Sequence, residues 1–359
     1  MKLFTIGPVQ MFEEIKNFRR NIEIPYFRTK EFSNLMLETD LLLKKFAGTA
    51  ESSQSIYLTA SGTGAMEAVI LNCFSSNDKL LVINGGTFGQ RFSDICEIHK
   101  IPYAEIKLSY GEKLSAEHFK IFENENFTGL LVNIHETSTG QLYDINLISD
   151  FCKQKNLFLV VDAISSFLCD KFAMDKFGID AMITSSQKGV CVEPGMSIVI
   201  LNQKIFNRRV LKLNSNSLYF DFKLYAKNFL RGQTPFTPAV GICLEINAAL
   251  RLIDKEGLDN HLEKIKNLAA DFRQKVKILP VQIPSYPLSN AITPIIFNSN
   301  VAYRVFEILK DRHNIFVNPT GGALSEKLLR ISHIGDLNFE DNTFLIYCLK
   351  EIIDELKIN

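Results

Sequence analysis

A lysine and an aspartate follow two short apolar runs of the sequence, and both residue types can carry covalent and acid–base chemistry. Asp162 ends the run that starts at Leu157, and Lys188 follows the run that starts at Met182. An apolar run that stops abruptly in polar residues is typical of a strand buried on both faces. Because ligands of open α/β sheets bind beyond the carboxyl ends of the strands, we expect Asp162 and Lys188 to face one site.

An amine and a carboxylate in one site are the pair that pyridoxal phosphate requires. The amine forms a Schiff base with the aldehyde of the cofactor, and the carboxylate keeps the pyridine nitrogen protonated so that the ring can accept electrons. Each residue also has a simpler interpretation. A lysine after a strand is usually a solvated loop charge, and an aspartate there is usually a turn former or a helix N-cap.

A glycine-rich segment is a candidate site for a phosphate group. Ser61-Gly-Thr-Gly64 lies between the predicted strand 55–59 and the predicted helix 65–74. Glycines allow close approach of the backbone, while the two hydroxyls and the free amides of the helix start can donate hydrogen bonds. The segment is neither a Walker motif nor a dinucleotide motif. A glycine-rich N-cap that binds no ligand is the alternative.

Three further features are candidates for the same site. Phe88 follows a buried-strand run among glycines, where its ring could lie against a heteroaromatic cofactor or pack in the core. The strand 129–134 leads into His135-Glu-Thr-Ser-Thr-Gly140, whose hydroxyls could bind a phenolate or a phosphate, while Glu136 could cap a turn. Arg330 stands in a short apolar strand. Its guanidinium calls for a planar anionic partner, either an internal carboxylate or a substrate.

The order of the predicted elements indicates a mostly parallel sheet. Strands alternate with helices through most of the chain, which is typical of βαβ units. The segment Arg231-Gly-Gln-Thr-Pro-Phe-Thr-Pro238 breaks regular structure, and a long helix at 239–255 follows it. Later helices and strands indicate a smaller α+β region. We therefore predict a large α/β domain at 15–240, and a small α+β domain at 241–359 together with 1–14.

Composition argues against several other classes of function. The chain has 359 residues, 46% of them hydrophobic, so it can fill a sizeable core. Forty basic and forty acidic residues cancel, and no global charge would attract nucleic acid or an anionic membrane. The N-terminal residues lack the apolar stretch of a signal peptide, so we expect a cytoplasmic protein. Seven scattered cysteines and six histidines form neither a disulfide framework nor a metal motif.

Together the motifs resemble the class V aminotransferases of fold type I, which depend on pyridoxal phosphate. The most similar branch is that of serine–pyruvate, alanine–glyoxylate and 2-aminoethylphosphonate aminotransferases, and the resemblance covers nearly the whole chain. Its motifs are Gly7-Pro8, Ser61-Gly-Thr-Gly64, Asn84-Gly-Gly-Thr-Phe-Gly-Gln-Arg91, His135-Glu-Thr-Ser-Thr-Gly140, Val161-Asp-Ala163, Ser185-Ser-Gln-Lys188 and Leu329-Arg-Ile331. It implies a mostly parallel seven-stranded sheet with flanking helices and a smaller α+β C-terminal domain.

The resemblance also implies a role for each candidate residue. Lys188 would bind the cofactor and move the proton during transfer, and Asp162 would pair with the ring nitrogen. Phe88 would stack on the ring, and Thr137 would lie near the ring hydroxyl. Arg330 would hold the carboxylate or phosphonate of the substrate. The residues implied to hold the phosphate are Ser61, Gly62, Thr63 and Gln187.

The expected activity is transamination between a small amino donor, which is alanine, serine or 2-aminoethylphosphonate, and a 2-oxo acid such as pyruvate or glyoxylate. The resemblance implies a homodimer in which Thr237 completes the phosphate site of the partner subunit. Two alternatives stay open. A desulfurase or lyase would need a nucleophilic cysteine on a mobile loop, and Cys191, near Lys188, would be held rigidly. A non-catalytic binding protein could keep the same fold.

Overall fold

The computed structural model describes residues 1–358, which form two main sheets and the helices that cover them. The strands are β1 (Lys2–Phe4), β2 (Gln54–Leu58), β3 (Leu80–Asn84), β4 (Tyr103–Lys107), β5 (Gly129–Asn133), β6 (His135–Glu136), β7 (Gln141–Leu142), β8 (Phe158–Asp162), β9 (Ala181–Ser185), β10 (Ser197–Leu201), β11 (Val281–Gln282), β12 (Ile292–Phe297), β13 (Ile315–Pro319) and β14 (Leu328–Ser332).

The α-helices alternate with these strands. They are α1 (Glu13–Asn21), α2 (Lys30–Ala47), α3 (Gly62–Cys73), α4 (Thr87–Ile98), α5 (Ala116–Lys120), α6 (Ile145–Lys155), α7 (Met174–Phe177), α8 (Gln203–Ile205), α9 (Phe222–Phe229), α10 (Val240–Glu256), α11 (Leu258–Lys275), α12 (Ala302–His313) and α13 (Phe339–Leu356). Among residues 1–358, none of the helices is long and apolar enough to cross a bilayer.

The large sheet confirms the predicted architecture. Within residues 1–358 it has seven strands in the order β2-β10-β9-β8-β5-β3-β4. Strand β10 runs antiparallel to both of its neighbours, and the other neighbouring pairs are parallel. Every residue of β3, β5 and β9 is buried. This is the burial that a sheet covered on both faces imposes, and it explains the continuous apolar runs of the sequence.

Alternate residues of each strand enter two separate cores. In β3, Leu81 and Ile83 join the core beneath α2, α6 and α10, whereas Leu80 and Val82 join the core beneath α3, α4 and α9. The alternation follows from the two-residue period of a strand. Because helices fill both faces, the ends of the strands are left as the place where polar side chains can gather.

The second sheet has the order β1-β13-β14-β12-β11 and is mainly antiparallel, since only the β1–β13 pair among its described strands is parallel. Helices α11, α12 and α13 pack on it around a third core. This agrees with the predicted α+β character of the C-terminal region. The domain division at 240/241 stays a prediction. Helix α10, which begins at that point, contributes Cys243, Ile246 and Leu250 to the core of the large sheet.

Candidate active site

The carboxyl ends of the parallel strands β3, β5, β8 and β9 lie along one edge of the large sheet. Asp162 is the last residue of β8, and its partner in register on β5 is Asn133. On its other side Asp162 pairs with Ile183 of β9, the strand that leads to Lys188. The ladder of the sheet thus brings the two predicted residues to the same edge.

One pocket at this edge gathers most of the residues predicted from the sequence. Its lining is made of Ser61, Gly62, Thr63, Phe88, Arg91, Thr137, Asp162, Ile164, Ser165, Gln187 and Lys188. Arg330 and Thr237 are outside this lining. A larger cavity, about 480 Å³, lies against α10 and α11 and contains none of the predicted residues. We therefore identify the candidate site from its chemistry and not from its size.

Lys188 is half-buried, and its amine forms no hydrogen bond or ion pair with the described residues. Burial lowers the pKa of Lys188 to about 8; the charge of Arg330 acts in the same direction, and the charge of Asp162 opposes it. Gly7 lies against this side chain, because a Cβ atom at position 7 would be 2.7 Å from Nζ. The Gly7-Pro8 motif therefore leaves room for the lysine, a role that the sequence alone did not indicate.

Asp162 is buried, and its Oδ1 accepts a hydrogen bond of 2.8 Å from the backbone amide of Ile164. Burial raises the pKa of this carboxyl group to about 7, against the lowering effect of the Ile164 bond. The pocket therefore contains an amine and an acid that both titrate near neutral pH. Such perturbed groups in a shared pocket are characteristic of functional sites.

Thr137 belongs to a buried network that the sequence analysis only partly anticipated. Its Oγ1 lies 2.7 Å from Oγ of Ser165, and Ser165 Oγ lies 3.0 Å from Nδ1 of His135. Burial lowers the pKa of His135 to about 3, so the imidazole is neutral. Ser165 and His135 were not predicted to have these roles, because they meet through the fold and share no sequence motif.

Glu136 is fully buried and connects two elements of the site. Its carboxylate accepts hydrogen bonds from the backbone amide of Gly89 at 3.0 Å and from Asn133 Nδ2 at 2.8 Å, and also from the amide and hydroxyl of Ser138. The sequence suggested a turn cap, but the residue caps the distant helix α4. Gly86 permits this contact, because a Cβ atom there would lie 2.6 Å from the Glu136 carboxyl carbon.

The Ser61-Gly-Thr-Gly64 segment forms the N-terminus of α3. Ser61 is the N-cap, and its Oγ accepts a hydrogen bond of 3.4 Å from the amide of Gly64. A Cβ atom at Gly62 would collide with the side chain of Ile164, so only glycine fits there without movement. The segment is therefore built as a close-fitting cup whose first amides have no intrahelical acceptors.

Arg330 stands on β14 opposite Asn318 and Pro294. Its Nη1 donates to the carbonyl of Thr137 at 3.2 Å and its Nη2 to the carbonyl of Pro319 at 2.6 Å, while the buried Nε has no partner. Among residues 1–358, no carboxylate forms an ion pair with Arg330. Of the two partners that the sequence left open, the internal carboxylate is therefore not found.

Thr237 is exposed and does not line the pocket of its own chain. The residues before it are fixed by Arg28, which donates to the Gln233 side chain at 3.1 Å and to the carbonyls of Thr234 and Pro235 at 2.9 and 3.3 Å. Thr237 thus sits at the end of an anchored segment.

The fold and the site together define a cofactor-dependent transferase, and comparison with known proteins gives the family. The family model "Aminotransferase class-V" matches residues 17–335, so the chain belongs to the class-V aminotransferases. It is a pyridoxal-phosphate-dependent aminotransferase of fold type I. The cup with its closely packed Gly62, the unpaired amine and the buried acid fit this cofactor. Within residues 1–358, no three metal-ligating side chains gather in a cluster that could hold a metal ion.

Two relatives and one solved structure illustrate the similarity. The chain is 29% identical over 358 residues to an uncharacterized aminotransferase of Methanocaldococcus jannaschii, covering 98% of this chain and 92% of the relative. It is 28% identical to the L-aspartate–glyoxylate aminotransferase of Paracoccus denitrificans, covering 93% and 86%. An aspartate aminotransferase of Thermus thermophilus superposes with a TM-score of 0.90 at 25% identity, covering 99% of each chain.

The lowered pKa of Lys188 predicts how its amine reacts with small electrophiles. Because the neutral amine is the reactive form, the rate of carbamylation by cyanate in the cofactor-free protein should rise with pH and reach half its maximum near pH 8. Exposed Lys107 is the control for the reagent and for the state of the protein. Peptide mass spectrometry measures both rates. A Lys188 midpoint well above pH 8 would contradict the desolvated environment.

Proposed function

We propose that Lys188 is the amine that binds pyridoxal phosphate and that the enzyme transfers an amino group from alanine, serine or 2-aminoethylphosphonate to a 2-oxo acid such as pyruvate or glyoxylate. The main support is the single pocket that Lys188 shares with the buried acid Asp162. The cofactor supplies the electron sink for such a transfer. Side chains of this protein would bind the cofactor and the substrate and move the proton.

We assign Asp162 to the ring nitrogen. Burial raises the pKa of Asp162 and so disfavours its ionised form. A cationic group next to the carboxyl would keep it ionised, and the carboxylate would in turn stabilise that cation. Burial acts on Lys188 in the same sense, since it favours the neutral amine. An amine with a pKa near 8 can both accept and return a proton near neutral pH, which is what the proton movement of an amino transfer requires.

Arg330 is assigned to the anionic group of the substrate. Two backbone carbonyls fix the orientation of its guanidinium and leave Nε without an acceptor. A buried guanidinium edge without a partner costs free energy, which a carboxylate or phosphonate would offset through charge-assisted hydrogen bonds. The charge of Arg330 also lowers the pKa of Lys188, which is consistent with a substrate held between them.

The cysteines disfavour the desulfurase alternative. All seven are buried, and burial raises the pKa of Cys191 far above that of an ordinary thiol. A nucleophilic cysteine needs the thiolate form and access to its substrate. Neither condition is met by a cysteine of this chain, so amino transfer is the better assignment.

The proposed active unit is a homodimer located in the cytoplasm. Thr237 is exposed and stands at the end of a segment anchored by Arg28. Its hydroxyl is available to a neighbouring molecule and not to its own pocket. We therefore assign Thr237 to the phosphate site of the partner subunit.

Half-reactions with single donors test the proposed activity. Mixing the holoenzyme with alanine, serine, 2-aminoethylphosphonate or aspartate should abolish the absorbance of the bound aldehyde for at least one donor, and the 2-oxo acid should restore it. Aspartate is included because it appears in the name of the Paracoccus relative. Lys188→Ala should lose turnover by several orders of magnitude, whereas the exposed-site control Lys107→Ala should keep it. Full turnover by Lys188→Ala would refute the assignment.

Arg330→Gln should weaken substrate binding by roughly 2 to 5 kcal/mol, because a desolvated ion pair is lost. The effect should appear in the dissociation constant of the donor or of a non-reactive dicarboxylate, while cofactor absorbance stays normal. Arg330→Lys should recover part of the affinity, since it keeps the charge but not the planar fork. The control is Arg312→Gln, at an exposed position of α12. Unchanged affinity in Arg330→Gln would return Arg330 to a structural role.

Hybrid dimers test the assignment of Thr237. A dimer of one Lys188→Ala subunit and one Thr237→Ala subunit should contain one intact site if Thr237 acts across the interface, and its activity should be about half that of the wild type. If Thr237 acts within its own chain, the hybrid has no intact site. Differently tagged subunits allow the hybrid to be purified and assayed at limiting cofactor. Activity no higher than that of the Thr237→Ala homodimer would exclude the shared site.

A further inference from the structure

Arg91 is the one cationic side chain besides Lys188 among the described residues that line the active-site pocket. It is half-buried and stands one turn into α4, behind Phe88. Its guanidinium carbon lies 4.9 Å from the centre of the Phe88 ring, and its Nη1 donates a hydrogen bond of 2.8 Å to Oγ1 of Thr63. The guanidinium thus connects the aromatic ring with the glycine-rich cup.

The charge of Arg91 has no counter-ion in the part of the chain that the structure describes. Several arginines of the chain pair with carboxylates, as Arg251 does with Glu38 at 2.6 Å and Arg209 does with Asp78. Asp162 lines the same pocket but forms no ion pair with Arg91. The guanidinium is therefore poorly compensated, because its remaining N–H groups have lost part of their water. An anionic ligand with several acceptor atoms would neutralise the guanidinium of Arg91 and accept its remaining hydrogen bonds.

The surroundings of Arg91 indicate which anion would be bound. The neighbouring Thr63 belongs to the cup at the start of α3, whose hydroxyls and amides are hydrogen-bond donors. The charge of Arg91 also lowers the pKa of both Asp162 and Lys188, so it acts on the whole pocket. A doubly charged phosphate group would satisfy the donors of the cup and neutralise the guanidinium together.

We propose that Arg91 is a cofactor-binding residue that pairs with the phosphate group of pyridoxal phosphate. The inference rests on the proposed function, in which the Ser61–Gly64 cup holds that phosphate. Arg91 supplies the full positive charge that the neutral donors Ser61, Thr63 and Gln187 lack. The competing explanation is structural: Arg91 would only pack on Phe88 and fix the position of its ring.

The two explanations differ in their dependence on the phosphate group, and pyridoxal, which lacks it, separates them. The full-length protein is freed of cofactor by dialysis, and the dissociation constants of pyridoxal phosphate and of pyridoxal are measured by absorbance. In Arg91→Gln, the dissociation constant of pyridoxal phosphate should rise about 10- to 100-fold, while that of pyridoxal should change by less than about twofold. Glutamine keeps a donor for Thr63 but removes the charge.

Two further variants keep the result interpretable. Arg91→Lys preserves a charge and should lose less affinity for pyridoxal phosphate than Arg91→Gln, and Arg312→Gln is the control with unchanged affinity for both ligands. Urea unfolding verifies that each variant is folded, and Arg91→Lys decides the question should Arg91→Gln fail to fold.

Equal losses for both ligands would overturn the inference in favour of packing on Phe88, and unchanged affinity for pyridoxal phosphate in a folded Arg91→Gln would overturn it outright. Failure of the wild type to bind pyridoxal phosphate is a different result, because it would overturn the proposed function itself and the inference with it.

Discussion

The buried carboxylate of Glu136 is the interaction on which the rest of the site depends. It stands just beyond β5 and accepts hydrogen bonds from the amides of Phe88 and Gly89 in the first turn of α4. A carboxylate at a helix N-terminus satisfies amides that have no intrahelical acceptor and interacts favourably with the helix dipole. The positions of Phe88 and Arg91 relative to Asp162 are therefore set by one side chain that lies outside the lining of the pocket.

A second constraint is the balance between charge and burial in the pocket. Three cations, Lys188, Arg91 and Arg330, stand against two buried acids, Asp162 in the pocket and Glu136 behind it. The charges of Arg91 and Arg330 add to the desolvation that lowers the pKa of Lys188. For Lys188 and Asp162, burial is the largest cause of the pKa shift, so both groups move toward their neutral forms. The site therefore has an excess of positive charge, which anionic ligands can neutralise. This arrangement favours binding of a phosphorylated cofactor and an anionic substrate in the same place.

Much of the fold and part of the site could be predicted from the sequence. The reason why some site residues were predictable and others were not is physical. Asp162 was predictable because a fully buried strand must be apolar and must end where polar residues begin. Contacts between distant segments leave no such pattern. The sequence does not show that Gly7 makes room for Lys188, that Glu136 caps α4, or that Arg91 bonds to Thr63. Thr237 is a different case, because the assignment requires a second chain.

Arg330 shows how the two sheets are brought into one site. It belongs to β14 of the small sheet, yet its Nη1 donates to the carbonyl of Thr137, beyond the end of β5 in the large sheet. Thr137 in turn bonds to Ser165, which lines the pocket beside Asp162. A ligand that accepts a hydrogen bond from Nε would bind a guanidinium whose Nη1 and Nη2 already donate to the carbonyls of Thr137 and Pro319. If the proposed assignment of Arg330 holds, substrate binding is therefore coupled through this side chain to the relative position of the two sheets.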